Sequence, residues 1–270
     1  IQGRYYVGGC IGANVVDLDR DVNMTQIRTD NILGRITGQA FCGGIIGYQR
    51  TYTHAQLGLN SDASIKDQAA SLLPQVNKTS GVPDKVTESA NRYCMQITTT
   101  NNIPVRAGLY TGGIVGYCEK NSRLQMEGCT NKGDIALAYT NWSKGVSLGA
   151  YLRSSEIGGM TIPSGADDVN IHFAGGVISV NLENQVIDNC SNTGNMSGYT
   201  GTGGVVGLNA GRVIRCSLRQ NFGSAALNYI GGIAGINTGM IESCTTEQNK
   251  TISGNSNIGG IVGWNLSGGT

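Results

Sequence analysis

The chain reads GGVVGLNAGRVIRC over Gly203–Cys216 and GGIAGINTGMIESC over Gly231–Cys244, an interval of 28 residues. The two stretches match position by position. Gly-Gly pairs followed by small or β-branched residues also begin at Gly8, Gly43, Gly112, Gly175 and Gly259. A constant interval of this size is typical of repeat proteins in which each repeat forms one coil. The sequence therefore predicts a solenoid.

Each repeat contains two short apolar runs separated by Asn-x-Gly, as at Asn209 and Asn237. Asn and Gly favour tight turns, so the runs are expected to be strands joined by a turn. Equivalent residues of parallel coils lie about 4.8 Å apart, which predicts an apolar column of Val206, Ala234 and Val262. The predicted fold class is all-β: a single-stranded, right-handed β-solenoid of about eight coils of about 28 residues, with one larger insertion.

The repeat divides the chain into three parts. Residues 1–49 are expected to form coils, residues 50–107 an insertion that is partly irregular with a short helix near 64–73, and residues 108–270 further coils. The 63 residues between Gly112 and Gly175 are expected to hold two coils and an insertion, the second coil opening at Gly145–Gly149. The pattern is still running at Thr270, so we expect more coils or a capping element after an uncapped end.

The glycine pairs are interpreted as repeat corners, where the absence of a Cβ allows positive φ and close approach of the backbone. The corners of the last four coils, whose glycine pairs begin 28 residues apart, are Gly175, Gly176, Gly203, Gly204, Gly231, Gly232, Gly259 and Gly260.

Four of the eight cysteines share one repeat position, namely Cys129, Cys190, Cys216 and Cys244. This favours a ladder of buried free thiols, in which Cys acts as a small hydrophobe. Disulfides are the alternative, because an even number of cysteines in a secreted protein suggests pairing. A disulfide involving Cys94 would then hold the insertion in place.

Composition argues against several function classes. The net charge is +1 without a basic cluster, so nucleic acid is a poor partner. No run of 18 apolar residues occurs, so no membrane span is predicted. The two histidines, His54 and His172, are not at ligand spacing, and the acidic residues Glu156, Asp167 and Asp168 match no calcium loop. We predict no catalytic residue, no cofactor and no metal ligand, and hence no enzyme.

Two stretches resemble a known repeat. GGIVGY over Gly112–Tyr117 and DNCSNTGNMSG over Asp188–Gly198 are similar to the GLUG repeat of large bacterial surface proteins, including adhesin-like proteins and N-terminal regions of immunoglobulin A proteases. The likeness covers residues 112–270 well, 1–48 moderately and the insertion not at all. Ser179 replaces the closing glycine of one coil, and the chain has no His-Glu-x-x-His motif.

The resemblance implies an extracellular, cell-surface β-solenoid: a rigid stalk, adhesin segment or filament component. Expected partners are other copies of the chain or further coils joined head to tail, and a glycan or protein of a host or the environment. The alternative is a β-helix that binds or cleaves glycans, with its site near the 50–107 insertion.

Overall fold

The computed structural model describes residues 1–17, 25–29, 34–52, 94–120, 122–138, 145–154, 157, 169–197, 199–223, 227–266 and 269–270. This part of the chain is nearly all β, and its strands pair mostly in parallel, as in a solenoid. The predicted helix near 64–73 and the acidic residues Glu156, Asp167 and Asp168 lie outside the described residues.

Two seven-stranded parallel sheets follow the glycine pairs. Each strand of sheet 1 ends at the first glycine of a pair. The strands are β1 (Tyr5–Gly8), β5 (Ala40–Gly43), β9 (Leu109–Gly112), β16 (Ala174–Gly175), β21 (Thr202–Gly203), β26 (Asn228–Gly231) and β31 (Ser256–Gly259). Sheet 2 follows each pair: β2 (Ile11–Asp17), β6 (Ile46–Tyr52), β10 (Val115–Cys118), β17 (Ile178–Asn181), β22 (Val206–Asn209), β27 (Ala234–Asn237) and β32 (Val262–Asn265).

Two further sheets complete the coils. Sheet 3 has ten strands: β3 (Thr25–Thr29), β7 (Cys94–Asn101), β11 (Arg123–Glu127), β12 (Thr130–Asn131), β18 (Val186–Asp188), β19 (Ser191–Asn192), β23 (Arg212–Ile214), β24 (Ser217–Leu218), β28 (Met240–Glu242) and β29 (Thr245–Thr246). Sheet 4 has β4 (Ile36–Thr37), β8 (Val105–Ala107), β13 (Ile135–Leu137) and β20 (Met196–Ser197). A separate parallel pair is β25 (Phe222–Gly223) with β30 (Ile252–Ser253).

The register follows the repeat. Val206 pairs with Ala234 and Ala234 with Val262, which is the predicted column. The first glycine of each pair lies beside that of the next along the whole of sheet 1, from Gly8 to Gly259. We call each such level of the stack a rung.

The segment between Gly112 and Gly175 does not add a second coil, contrary to our expectation. Gly112 pairs directly with Gly175. Within the segment, β14 (Val146–Ser147) pairs antiparallel with β15 (Asn170–Ile171), and the helix α1 (Leu148–Leu152) follows β14. Sheets 1 and 2 therefore have seven strands each in the described chain, and the expected number of about eight coils stays a prediction.

The stack resumes inside the predicted 50–107 insertion. β7 begins at Cys94 and pairs with β3 and β11, and β8 pairs with β4 and β13. Sheet 2 also continues to Tyr52. The chain that separates these strands is thus residues 53–93, which lie outside the described residues.

Two main apolar cores hold the strands together. The first contains branched residues of sheets 2 and 3, such as Ile46, Val115 and Ile97, together with the cysteines of the predicted ladder. The second contains aromatic residues of sheets 1 and 2 and is covered by Leu148, Tyr151 and Leu152 of α1. The strand β14 and the helix α1 thus cover one side of the stack where we expected a further coil.

Candidate functional site

The repeated glycines are required by close backbone contact. A Cβ on Gly175 would lie 1.9 Å from the carbonyl oxygen of Ile178, and a Cβ on Gly176 would lie 2.0 Å from that of Gly204 in the next rung. The positive φ that we expected is not at these glycines: it lies two residues earlier, for example at Tyr110 (φ 49°) and Phe173 (φ 47°).

These left-handed residues form an aromatic ladder that sequence reasoning missed. Tyr6, Phe41, Tyr110 and Phe173 stack with ring centroids 5.2, 5.0 and 5.8 Å apart and planes within 12° of parallel. Aromatic contact and burial offset the cost of the left-handed backbone. The available signal was an aromatic residue two positions before five of the seven glycine pairs.

The four cysteines lie one above another in the stack. The backbone N–H of Cys190 donates to Sγ of Cys216, and that of Cys216 donates to Sγ of Cys244, both at 3.4 Å. None of the seven cysteines whose side chains are described forms a disulfide. Burial raises the pKa of the Cys190 thiol well above its usual range, so this thiol is a poor nucleophile at neutral pH. The side chain of Cys94 is outside the described residues, so its disulfide stays a prediction.

Asparagine side chains form two further ladders. Nδ2 of Asn181 donates to Oδ1 of Asn209, Asn209 to Asn237, and Asn237 to Asn265, at 2.7 to 2.8 Å. Asn101, Asn131 and Asn192 repeat the arrangement in sheet 3 at 2.8 Å. We predicted Asn209 and Asn237 as turn residues only. Their equal spacing along the sequence was the signal for a ladder.

A buried ion pair lies where sheet 2 meets residues 53–93. Nε of Arg50 is 3.2 Å from Oε2 of Glu119, and the hydroxyl of Tyr48 donates to Oε1 of Glu119 at 2.5 Å. Arg50 is 4% exposed and Glu119 is fully buried. Burial raises the pKa of Glu119 to about 7, although Arg50 and Tyr48 lower it. The group is enclosed and joins β6 to the residue that follows β10.

A groove of about 510 Å³ runs along the corner between sheets 2 and 3. Its lining includes Arg123, Glu183 and Arg212. Arg123 pairs with Cys94, the first strand residue after the 53–93 segment. Nζ of Lys120 lies 3.2 Å from Oε2 of Glu183, and the cations among the described lining residues are Arg123 and Arg212. An anionic ligand is the kind that such a lining would bind.

Other features add no site within the described residues. There, no group of His, Cys, Asp and Glu side chains could hold a metal ion, and no helix is long and apolar enough to cross a bilayer. His172 is largely buried beside Tyr199, and His54 is outside the described residues.

Comparison with family models, with curated proteins and with solved structures gave no match for this chain. The resemblance to the GLUG repeat therefore stays a prediction from the residues quoted above.

Proposed function

We propose that the chain is part of a single-stranded, right-handed β-solenoid that acts outside the cell as a rigid stalk, adhesin segment or filament component. The observation that carries this proposal is the glycine ladder, unbroken through seven rungs of sheet 1. The right hand is the usual one for connections between parallel strands. At the normal strand spacing the six steps between these rungs span roughly 29 Å.

Several features support a mechanical role. Apolar, cysteine and asparagine columns run along the same axis, so each rung is held by its neighbours. The likeness to GLUG repeats supports placement at a cell surface, with attachment to a glycan or protein through the predicted 50–107 insertion. Further coils or other copies would join the chain head to tail. In this proposal the chain is a structural element and not an enzyme.

Surface labelling tests the location. Intact cells that make the chain are treated with an amine-reactive biotin that does not cross membranes, and lysed cells serve as the reference. We expect labelling of the chain in intact cells to equal that in lysed cells. Labelling that appears only after lysis would rule out the extracellular role.

An adhesion assay tests the role itself. Cells lacking the chain should attach less well to host or mineral surfaces than cells that produce it. A version shortened by one 28-residue coil should restore attachment, because the rod keeps its structure. Equal attachment with and without the chain would contradict an adhesive role.

The corner groove favours one second candidate, a glycan-binding module with its site beside the 50–107 insertion. Arg123 and Arg212 suit the carboxylates of an acidic oligosaccharide. Titration with uronic-acid oligomers tests this candidate. Arg123→Ala and Arg212→Ala should each weaken binding about tenfold or more, whereas Arg219→Ala, an exposed arginine outside the groove, should not. Equal binding by all variants would exclude the groove.

A further inference from the structure

The chain contains several Asn-x-Ser/Thr sequences. They begin at Asn23, Asn77, Asn141, Asn189, Asn195, Asn249 and Asn265. Such a sequence accepts an N-linked oligosaccharide when it lies on the surface of an exported protein. Asn189 and Asn195 belong to the coil that contains β18 and β19, and strands of sheet 3 lie on both sides of this coil. The neighbouring coils around both residues are therefore part of the described structure.

The side chain of Asn189 lies at an exposed corner of the stack. Asn189 separates β18 from β19 and has a left-handed backbone, with φ 49°. Asparagine adopts this conformation more readily than most residues. The equivalent corner residues of neighbouring rungs are also left-handed and exposed, namely Gly128, Arg215 and Ser243. Exposure is therefore a property of this corner in four successive rungs.

The hydroxyl group that the sequence requires lies on the same face as Asn189. Side chains alternate along the strand, so Cys190 is buried in the first core, whereas Asn189 is exposed and Ser191 is half-buried. Ser191 pairs with Thr130 in one neighbouring rung and with Ser217 in the other. The column thus consists of hydroxyl residues, and it already accepts threonine.

Hydrogen bonding distinguishes the two asparagines, since both are exposed. Within the described chain, no hydrogen bond joins the side-chain amide of Asn189 to another group. Nδ2 of Asn195 donates to Oδ1 of Asp134 at 3.0 Å, and Oδ1 of Asn195 accepts from Nε2 of Gln220. The amide of Asn195 is therefore held by both neighbouring coils, whereas that of Asn189 can turn toward a reactant.

We infer that Nδ2 of Asn189 is the acceptor of an N-linked oligosaccharide. The donor is an oligosaccharide linked to a lipid diphosphate, and an oligosaccharyltransferase of the export route catalyses the transfer. Nδ2 forms a bond to C1 of the first sugar, and the bond between C1 and the phosphate oxygen breaks. The lipid diphosphate leaves, and the amide loses one proton. The inference rests on the proposed extracellular function and assigns a modification to that surface.

Asn195 is expected to be a poor acceptor on the same coil. Its amide must break its hydrogen bonds to Asp134 and Gln220 before it can turn toward the donor. Two hydrogen bonds reduce the available fraction about fivefold or more. Asn195 thus serves as an internal reference for Asn189.

The test removes one hydroxyl group at a time. Ser191→Ala removes the hydroxyl needed for modification of Asn189, and Ser197→Ala does the same for Asn195, while both asparagines stay in place. Ser191→Thr keeps the hydroxyl. The chain is isolated from cells that produce it, after surface biotin labelling, and attached sugars are located by mass spectrometry of its peptides. Thermal melting checks the folding of each variant.

We expect a glycan on Asn189 in wild type, Ser197→Ala and Ser191→Thr, and at least a tenfold loss of this glycan in Ser191→Ala. Occupancy of Asn195 in wild type should be at most about a fifth of that of Asn189. Asn189→Asp is the second variant if Ser191→Ala does not fold, because Asp also tolerates the left-handed conformation.

Three results would overturn the inference: an unmodified Asn189 in wild type, a glycan on Asn189 that survives Ser191→Ala, or occupancy of Asn195 equal to that of Asn189. The sugars are mapped in biotin-labelled and unlabelled chain alike, so an unmodified Asn189 counts against the inference in either fraction. Absence of surface labelling contradicts the proposed location instead, which keeps the two failures distinguishable.

Discussion

At the scale of single residues, columns of equivalent glycine, cysteine, asparagine and aromatic residues connect successive rungs. The glycine, cysteine and Val206 columns follow directly from the 28-residue interval. The glycines serve close approach rather than positive φ, which lies at the aromatic residues. The asparagine ladder was missed because the asparagines were interpreted as turn residues within one coil. The aromatic ladder was missed because aromatic residues are few. Both ladders consist of contacts between coils, which the properties of one coil do not show.

The asparagine ladder makes a prediction for Asn209. Asn209→Ala removes the acceptor at 2.7 Å from Nδ2 of Asn181 and the donor at 2.8 Å from Oδ1 of Asn237, and leaves each with a longer hydrogen bond of 3.3 Å, to the carbonyl oxygen of Arg212 and from the N–H of Gly239. We expect a loss of about 1–3 kcal/mol in the free energy of unfolding, because each hydrogen bond contributes about 0.5–1.5 kcal/mol. Urea unfolding measures it, with the exposed amide change Gln248→Ala as control. Equal stability of the two variants would show that the ladder does not contribute.

Glu119 makes the stability of the chain depend on pH. Its pKa is raised from 4.5 to about 7 by burial, so the folded state binds a proton more tightly than the unfolded state. This stabilisation is complete below pH 4.5 and is lost as the pH rises through about 7. When the pH is raised from 4.5 to 7.5, the free energy of unfolding of the wild type should fall by about 1–3 kcal/mol more than that of Glu119→Gln. Urea unfolding at both pH values checks this, and parallel pH profiles would contradict it.

The cysteine column predicts a pattern of thiol labelling. Exposed Cys10 should react quickly with a maleimide, whereas Cys190 and Cys216 should react at least ~100-fold more slowly until the protein unfolds. Mass spectrometry of timed samples, with and without denaturant, measures the rates. Rapid native labelling of Cys190 would exclude a buried ladder. Thiols that stay unlabelled in denaturant without reductant would favour the disulfide alternative.

At the scale of elements, strands were predictable where the repeat is regular and not where it is interrupted. Coil length alone suggested a second coil between Gly112 and Gly175, and Gly145–Gly149 looked like its opening. In the structure, Gly112 pairs directly with Gly175, so sheet 1 has no strand of a further coil between them. Tyr151 of α1 lies 4.7 Å from Phe173 between ring centroids, so this segment buries aromatic side chains that glycine spacing does not reveal.

Modular stacking predicts which deletions the chain tolerates. Removing residues 203–230 joins Thr202 to Gly231 and keeps every column in register, because these residues are one repeat. We expect a folded protein shorter by about 4.8 Å, measured by circular dichroism and small-angle scattering. Removing only residues 203–216 joins Thr202 of sheet 1 directly to Ser217 of sheet 3. The residues after the deletion then lose their register with the neighbouring rungs, so we expect this variant not to fold. Similar stability of the two deletions would contradict the modular account.

At the scale of the whole molecule, a chain with only 14% charged residues is held together by columns that run through the stack. No rung buries its apolar residues alone, so stability depends on neighbouring rungs. The sequence predicted this dependence and an insertion within residues 50–107, but not the contacts of α1 with the stack, because residues 148–152 do not follow the repeat. The corner groove beside Arg123 was unpredictable for the same reason: it is formed by residues of several coils.

The most direct test of superposed rungs is a crystal structure of the chain, with the Cα distances from Val206 to Ala234 and from Ala234 to Val262 as the measurement. The account predicts about 4.8 Å for each step, with the three residues in one column. Coordinates in which these residues lie on separate elements, without pairing, would contradict it.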